Sequence, residues 1–316
     1  MSRAPDVTLQ EIRVAAARIR GRVIRTPLRH SPWLSKASGG DVYLKIETVQ
    51  PTHSYKIRGA TNAVLKLAEG TDATSLVTAS AGNHGRALAH AAAAAGMRLT
   101  VYLPETAPRT KIDAIRELGG ELRPCSDYDE AECRAKDHAA RGIGVFISPY
   151  AHPDVIAGAG TVGLEILEEL DDVEAVIASI GGGGLISGIA IATDGRVETA
   201  GVEVEASTPF TTSLKAGRIT EIAVGPTLAD GLSGNLDPES PTFDIVRTRV
   251  TRISVVSEDD LTDAIRGVAE HERLIIEGAA AAAVAAVATG KLDIRGQRAA
   301  IVLSGANIDL DRWGQI

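Results

Sequence analysis

Residues 175–193 read AVIASI, GGGG and LISGIAIAT in succession. An unbroken apolar run ahead of glycines predicts a buried strand, and the stretch after them opens a helix. Four consecutive glycines, Gly181, Gly182, Gly183 and Gly184, let the backbone approach a ligand and point successive N–H groups at it. The helix start adds a favourable dipole, so an anion, most simply a phosphate, is the natural guest. An ordinary strand–helix turn needs only one or two glycines, which makes four the stronger pointer to a ligand. Gly182, Gly184 and Ser187 also come near the dinucleotide pattern G-x-G-x-x-G, with Glu203 following where a ribose acceptor would stand. Ser187 weakens that match. The turn alone does not choose between a monophosphate and a pyrophosphate.

The same alternation extends in both directions. SLVTA at 75–79, RLTVYL at 98–103, Val145–Ile147, TAGVEVE at 199–205 and AAIVL at 299–303 have the composition of buried strands. Between them, 84–95, 111–118, 160–170 and 257–274 predict helices, and Thr8–Arg20 predicts a polar amphipathic one. Buried strands alternating with helices predict an α/β protein whose mostly parallel sheet is covered on both faces. Ligands of such folds sit beyond the carboxyl ends of strands. No internal repeat or low-complexity linker shows, so any division into lobes is discontinuous.

The 316 residues, 44% of them hydrophobic, suffice for one large α/β domain or two that share a cleft. A formal charge of −8 without any Lys/Arg-rich run argues against nucleic acid as a partner. Cys125 and Cys133 match neither a disulfide framework nor a metal knuckle, and are expected as free thiols in a reducing cytoplasm. No signal-peptide pattern opens the chain. The longest apolar stretch, Ile275–Thr289, is mostly alanine, contains Glu277 and is too short for a bilayer. The expectation is a cytoplasmic protein that engages no membrane and no nucleic acid.

Two further junctions carry candidate chemistry. Thr78-Ala79-Ser80-Ala81-Gly82-Asn83-His84-Gly85 supplies N–H groups and small polar side chains at a helix start, which suits a carboxylate. The plain alternative is an N-cap, with Ser80 or Asn83 capping the helix that begins near His84. In the second, Gln50-Pro51-Thr52-His53-Ser54-Tyr55-Lys56-Ile57-Arg58-Gly59-Ala60, a lysine stands in a hydroxyl-rich turn before an alanine-rich helix. Its amine could form an imine, although most lysines near a helix start are simply solvated.

Together the three segments resemble fold-type II pyridoxal-phosphate enzymes, the family of threonine and serine dehydratases and serine racemases. The likeness runs from Arg25-Thr26-Pro27-Leu28 to Asp309. Leu44-Lys45-Ile46-Glu47, Gly158-Ala159-Gly160-Thr161, Gly201-Val202-Glu203, Leu228-Ala229-Asp230-Gly231, Glu277-Gly278-Ala279 and Ser304-Gly305-Ala306-Asn307 fall in the family's order. The resemblance implies two α/β lobes of the tryptophan synthase β kind, with pyridoxal 5'-phosphate in the cleft between them. Residues 75–149 would form a small domain, and residues 1–74 with 150–316 a large cofactor-binding one. A homo-oligomer, dimer or tetramer, is expected.

The resemblance also assigns roles. Lys56 matches the Schiff-base lysine and the base that takes the Cα proton. Gly181 to Gly184, with Leu185, match the phosphate cradle, Asn83 the residue at the cofactor's 3-hydroxyl, and Ser304 the serine facing the pyridine nitrogen. Ser54, Ser80, Ala81, Gly82, Asn83 and His84 match substrate-contacting positions, and His53 is expected beside the substrate. The implied reaction is elimination of water and ammonia from a small β-hydroxy amino acid such as threonine or serine, leaving a 2-oxo acid.

Departures refine this. Ala81 stands where racemases have the serine that works on the opposite face of Cα, so racemisation should be poor. The metal-using members have an aspartate six residues after the glutamate matching Glu203. Pro209 stands there, so no metal is expected. His53 replaces the usual glycine and Tyr55 the usual phenylalanine. An end at Ile316 leaves no room for the regulatory domain of biosynthetic threonine dehydratases, so isoleucine feedback is not expected. A same-fold lyase acting on 3-hydroxyaspartate, phenylserine or a diamino acid is the alternative. A dinucleotide-dependent oxidoreductase stands further off, because it leaves the lysine and serine motifs unexplained.

Overall fold

The computed structural model describes residues 7–107 and 109–316. Residues 1–6 and 108, which the expected domain boundaries include, lie outside the described residues. The strands are β1 (Leu28–His30), β2 (Asp41–Ile46), β3 (Ser75–Ala79), β4 (Arg98–Pro104) and β5 (Glu121–Cys125), then β6 (Val145–Phe146), β7 (Ala175–Ser179), β8 (Glu198–Val204), β9 (Arg252–Val256) and β10 (Arg298–Leu303). They build a six-stranded sheet of order β1-β2-β10-β7-β8-β9 and a four-stranded sheet of order β5-β4-β3-β6. Only β1 runs antiparallel to its neighbour, β2.

The opening stretch explains the larger sheet. β7 lies between β10 and β8, with Ala175 opposite both Ala299 and Glu198, and all its residues are buried. Ala175 and Ile177 face one apolar cluster, shared with the helix Gly278–Ala288; Val176 and Ala178 face the other, shared with the helices Pro153–Glu169 and Gly184–Thr193. Both faces being covered, the strand shows no polar alternation. Each fully buried Val or Ile side chain contributes roughly 1.5–3 kcal/mol.

Helix boundaries differ from the sequence reading where glycine misleads. The helix expected from Gly160 begins at Pro153, with His152 accepting the Asp154 N–H as its cap. Gly158 and Gly160 look like helix breakers but let three helices touch. A Cβ on Gly158 would stand 2.6 Å from Gly59 Cα, and one on Gly188 would stand 2.5 Å from Gly160 N. The helix expected over 257–274 is α-helical only to Gly267, then turns π-helical over Val268–Glu272 and stops at left-handed Arg273. β5 escaped notice because Pro124 interrupts it, which an edge strand tolerates. No described helix is long and apolar enough to cross a membrane.

The smaller sheet draws all its strands from residues 75–146. On this topology we propose a small lobe from the described residues of 75–149 and a large one from those of 1–74 with 150–316. The strands end toward the cleft: β3 leads into Ser80, β7 into the glycines and β10 into Ser304.

Candidate active site

Lys56 opens the helix Lys56–Gly70, and its Nζ donates to Pro149 O at 2.7 Å. The loop before it is stitched to the end of β10. Tyr55 N donates to Ser304 O at 3.0 Å, Ala306 N donates to His53 O at 2.9 Å, and Ser54 bridges Gly305. Behind the lysine, fully buried Arg58 donates to both oxygens of Glu47 at 2.8 Å and to Glu165 at 2.6 and 2.8 Å. Desolvation opposes its charge, but the two carboxylates overcome it and hold the guanidinium above the usual arginine range. Buried Lys45 closes the group, with Nζ 2.7 Å from Thr26 O and 2.9 Å from Glu165. A charge network of this kind fixes the first helical turn in place, because any partner lost leaves a buried charge.

Lys56 looks onto a cavity of 410 Å³ in the cleft. Its wall includes Ser80, Ala81, Gly82, Asn83 and His84 from the small lobe, and Gly181 to Gly184, Leu185 and Ser304 from the large one. The glycine turn sits under Tyr150. A Cβ on Gly182 would meet Tyr150 Cγ at 2.2 Å, and one on Gly184 would meet Tyr150 O at 2.8 Å. Gly183 is left-handed with φ 84, and the helix it introduces has no side-chain cap. Its first N–H groups therefore lack intrahelical partners, an arrangement that suits an anion.

The opposite wall is also a helix start without an N-cap side chain, at Gly82. The plain reading of Ser80 holds in part, since its hydroxyl accepts Gly82 N and Gly85 N at 3.3 Å. Asn83 Nδ2 donates to Glu277 Oε1 at 2.6 Å, and Asn83 Oδ1 accepts from Asn307 Nδ2 at 2.6 Å. His84 is buried, with Nε2 3.2 Å from Ile147 O. A carbonyl only accepts, so the proton is on Nε2 and buried Nδ1 is left as an acceptor without a partner. Burial, reinforced by the charge of Lys56, lowers its pKa to about 3.

Two expected residues fall outside this wall. His53 is exposed and left-handed, with φ 57, so what the position asks for is a backbone conformation. Glycine adopts that backbone freely, and His53 is not among the residues that line the cavity. Ser54 is fully buried with its hydroxyl unpartnered, one residue from the cavity-lining Tyr55. Glu203 is corrected as a ribose acceptor, because both its oxygens accept from the backbone of Phe210 and Thr211.

Sequence reasoning left out Tyr150 and the Lys111–Asp230 ion pair and named Glu277 and Asp230 only inside family motifs, without a role; all line the cavity wall. Glu277 is raised to about 7 by burial and, after that, by the charge of Asp230. Beyond the family motif, its sequence signal is a lone acid at the head of an alanine helix.

Residues 19–305 match the model of the pyridoxal-phosphate dependent enzyme family. The chain belongs to that family. It is 41% identical to an L-threonine ammonia-lyase of Thermotoga maritima, over 98% of this chain and 78% of that one. It is 36% identical to a beta-hydroxyaspartate dehydratase of Paracoccus denitrificans, over 96% of this chain and 98% of that one. Among solved structures, maize serine racemase superposes with a TM-score of 0.91 at 30% identity, covering 99% of this chain and 97% of that one. The processed form of threonine deaminase isoform 2 from Solanum lycopersicum gives 0.88 at 30% identity, covering 100% of this chain and 94% of that one. The site fits pyridoxal phosphate: an amine, an uncapped helix start that only glycine can line, and a serine hydroxyl share one cavity.

Proposed function

We propose that this protein is a pyridoxal-phosphate-dependent ammonia-lyase that converts a small β-hydroxy amino acid, threonine or serine, to a 2-oxo acid and ammonia. The observation that carries the reading is that Lys56, the glycine turn, Asn83 and Ser304 line one cavity. Relatives named for threonine support the substrate.

Lys56 would hold the cofactor by its carbonyl carbon, the N–H groups of Gly182 to Leu185 its phosphate, Asn83 its 3-hydroxyl and Ser304 its ring nitrogen. When bound, pyridoxal phosphate supplies an electron sink for the charge left at Cα. The free Lys56 amine would accept the Cα proton, and one proton returned to the β-hydroxyl would let it depart as water. Ser304 differs from a carboxylate in not favouring a protonated ring nitrogen, which favours prompt elimination over transamination. Ser80, Ala81, Gly82, Asn83 and His84 would hold the substrate carboxylate at the second helix start. His84 would serve there through its backbone N–H, since its ring is buried against Ile147 O.

A second reading, 3-hydroxyaspartate as substrate, is favoured by the 36% identical dehydratase. We place the protein in the cytoplasm as a homo-oligomer, dimer or tetramer, in keeping with its free thiols Cys125 and Cys133. Release of 2-oxo acid and ammonia from L-threonine, L-serine and 3-hydroxyaspartate tests the activity. Borohydride should fix the cofactor to Lys56. A label on Lys111, which lines the same cavity, or on Lys45 or Lys66, would sink the assignment.

A further inference from the structure

Glu203, next to last in β8, is fully buried with both carboxylate oxygens committed. Oε1 accepts Phe210 N–H at 2.7 Å, and Oε2 accepts Thr211 N–H at 2.9 Å together with the Thr211 hydroxyl. These donors open the helix Pro209–Ala216, whose own N-cap makes no side-chain bond and whose first residue has no N–H to satisfy. A divalent cation asks for several free oxygen ligands. Here the carboxylate is taken, Pro209 brings none, and among the described residues no group of three His, Cys, Asp or Glu could hold a metal. The residues do not fit the cation that the family resemblance implies.

The capped helix leads straight to the phosphate cradle. Phe210 is fully buried, and a Cβ on Gly183 would stand 2.6 Å from Phe210 Cζ and 3.0 Å from Thr242 Cβ. Thr242 Oγ1 donates to Gly182 O at 2.9 Å. Glu203 therefore reaches the glycine turn through one helix start and one ring, without touching the cavity.

We propose that Glu203 stands in for a bound cation as the anchor of the helix Pro209–Ala216, and through Phe210 positions Gly182 and Gly183 for the cofactor phosphate. The inference rests on the reading of the glycine turn as the phosphate site. Glu203 is a positioning residue: cofactor affinity depends on it, and not on divalent ions.

The test compares holoenzymes of the wild type, E203Q and T211V. The pyridoxal-phosphate dissociation constant, the ³¹P resonance of the bound phosphate and the melting temperature are each measured with Mg²⁺ and with EDTA. Glutamine turns an acceptor oxygen into a donor that faces a backbone N–H. E203Q should bind the cofactor about tenfold more weakly, the effect of one lost charge-assisted hydrogen bond, and shift the phosphate resonance. T211V keeps both backbone bonds and should show a smaller change of the same kind. Wild-type affinity and melting temperature should be the same in Mg²⁺ and EDTA. A wild-type melting temperature raised by Mg²⁺ and lowered by EDTA would overturn the proposal. So would wild-type affinity and resonance in E203Q, or in T211V if E203Q does not fold. Wild-type protein that binds no phosphate at all would sink the reading of the turn itself, which separates the two failures.

Discussion

Asn83 donates its amide to Glu277 across the cleft, 2.6 Å from nitrogen to Oε1, although the two lie 194 residues apart. The bond joins the first residue of the helix Asn83–Ala94 to the N-cap of the alanine helix Gly278–Ala288. It also fixes the Asn83 amide, since Oδ1 is held by Asn307, whose own oxygen accepts from Arg86 at 2.6 Å. The orientation of Asn83 is therefore coupled to a carboxyl group whose charge changes near neutrality.

That coupling makes stability depend on pH through Glu277. Burial first, then Asp230, raises its pKa to about 7, above an unfolded value of about 4.3. A carboxyl raised on folding contributes stability that is complete below about pH 4.3 and is lost as pH rises through about 7. The contribution is about 4 kcal/mol, at 1.36 kcal/mol per pKa unit. Glu277→Gln should flatten the wild-type decline between pH 5 and about pH 7.5, read as denaturant midpoints. A wild-type slope surviving in the variant would show that Glu277 does not titrate there.

His84 works in the opposite sense. Its pKa is depressed to about 3 from an unfolded value of about 6.5, so its contribution is present above about pH 6.5 and is lost as pH falls toward 3. His84→Gln, which cannot charge, should unfold less readily than wild type between about pH 5 and pH 4, relative to their difference at pH 7.5. Equal acid sensitivity in both proteins would contradict a buried neutral imidazole.

Ala81 lines the cavity, at the position that the family resemblance gives to the second acid–base group of racemases. A positioned proton-transfer group is worth about 10²–10⁴-fold. Wild-type protein given L-serine should therefore yield pyruvate with little D-serine. Ala81→Ser should raise the D-serine share at least about tenfold. Racemisation that keeps pace with elimination in the wild type would mean that another group serves the far face of Cα.

How much of this was legible in the sequence depended on whether a residue's reason is local. The glycine turn was legible because four glycines in a row exceed what any turn requires, and the packing of Tyr150 on Gly182 and Gly184 shows what they make room for. Lys56 was ordinary alone and became a candidate only beside the other two segments. Glu277 was hidden because its partner Asn83 is distant in the chain and its burial is tertiary. The start of the helix Pro153–Glu169 was misplaced because Gly158 and Gly160 pack against neighbours that periodicity does not show. The pairing of Arg58 with Glu47 was not legible, since it is tertiary and shares Glu165 from a third element.

The buried charge network behind Lys56 should not tolerate a change in fork geometry. Arg58 makes two bonds to Glu47 and two to Glu165 from one planar group, which a lysine ammonium does not reproduce. Breaking one partner of a buried pair costs about 3–5 kcal/mol. Arg58→Lys should lose about 3 kcal/mol in chemical denaturation and hold its cofactor more weakly, because Lys56 is on the same turn. Wild-type stability in that variant would show the network to be dispensable.

His53 is the residue at which chemistry and conformation point in different directions. An imidazole three residues before Lys56 invites a substrate contact, and a polar or acidic β-substituent such as that of 3-hydroxyaspartate would be its partner. The side chain is instead exposed, while the backbone holds φ 57, with its carbonyl taken by Ala306 N and its own N–H donated to Gln50 O at 2.7 Å. Left-handed backbone is open to glycine, tolerable for histidine and poor for a β-branched residue. His53→Gly should therefore leave the ratio of kcat/KM for 3-hydroxyaspartate and threonine within about twofold of wild type, well short of the tenfold or more that one lost charge-assisted hydrogen bond produces. His53→Val should cost about 1–3 kcal/mol of stability, because strain at that φ falls on a branched side chain. A specificity ratio that moves tenfold in the glycine variant would put the imidazole at the substrate, and an unaffected valine variant would remove the conformational reason for a glycine at this position.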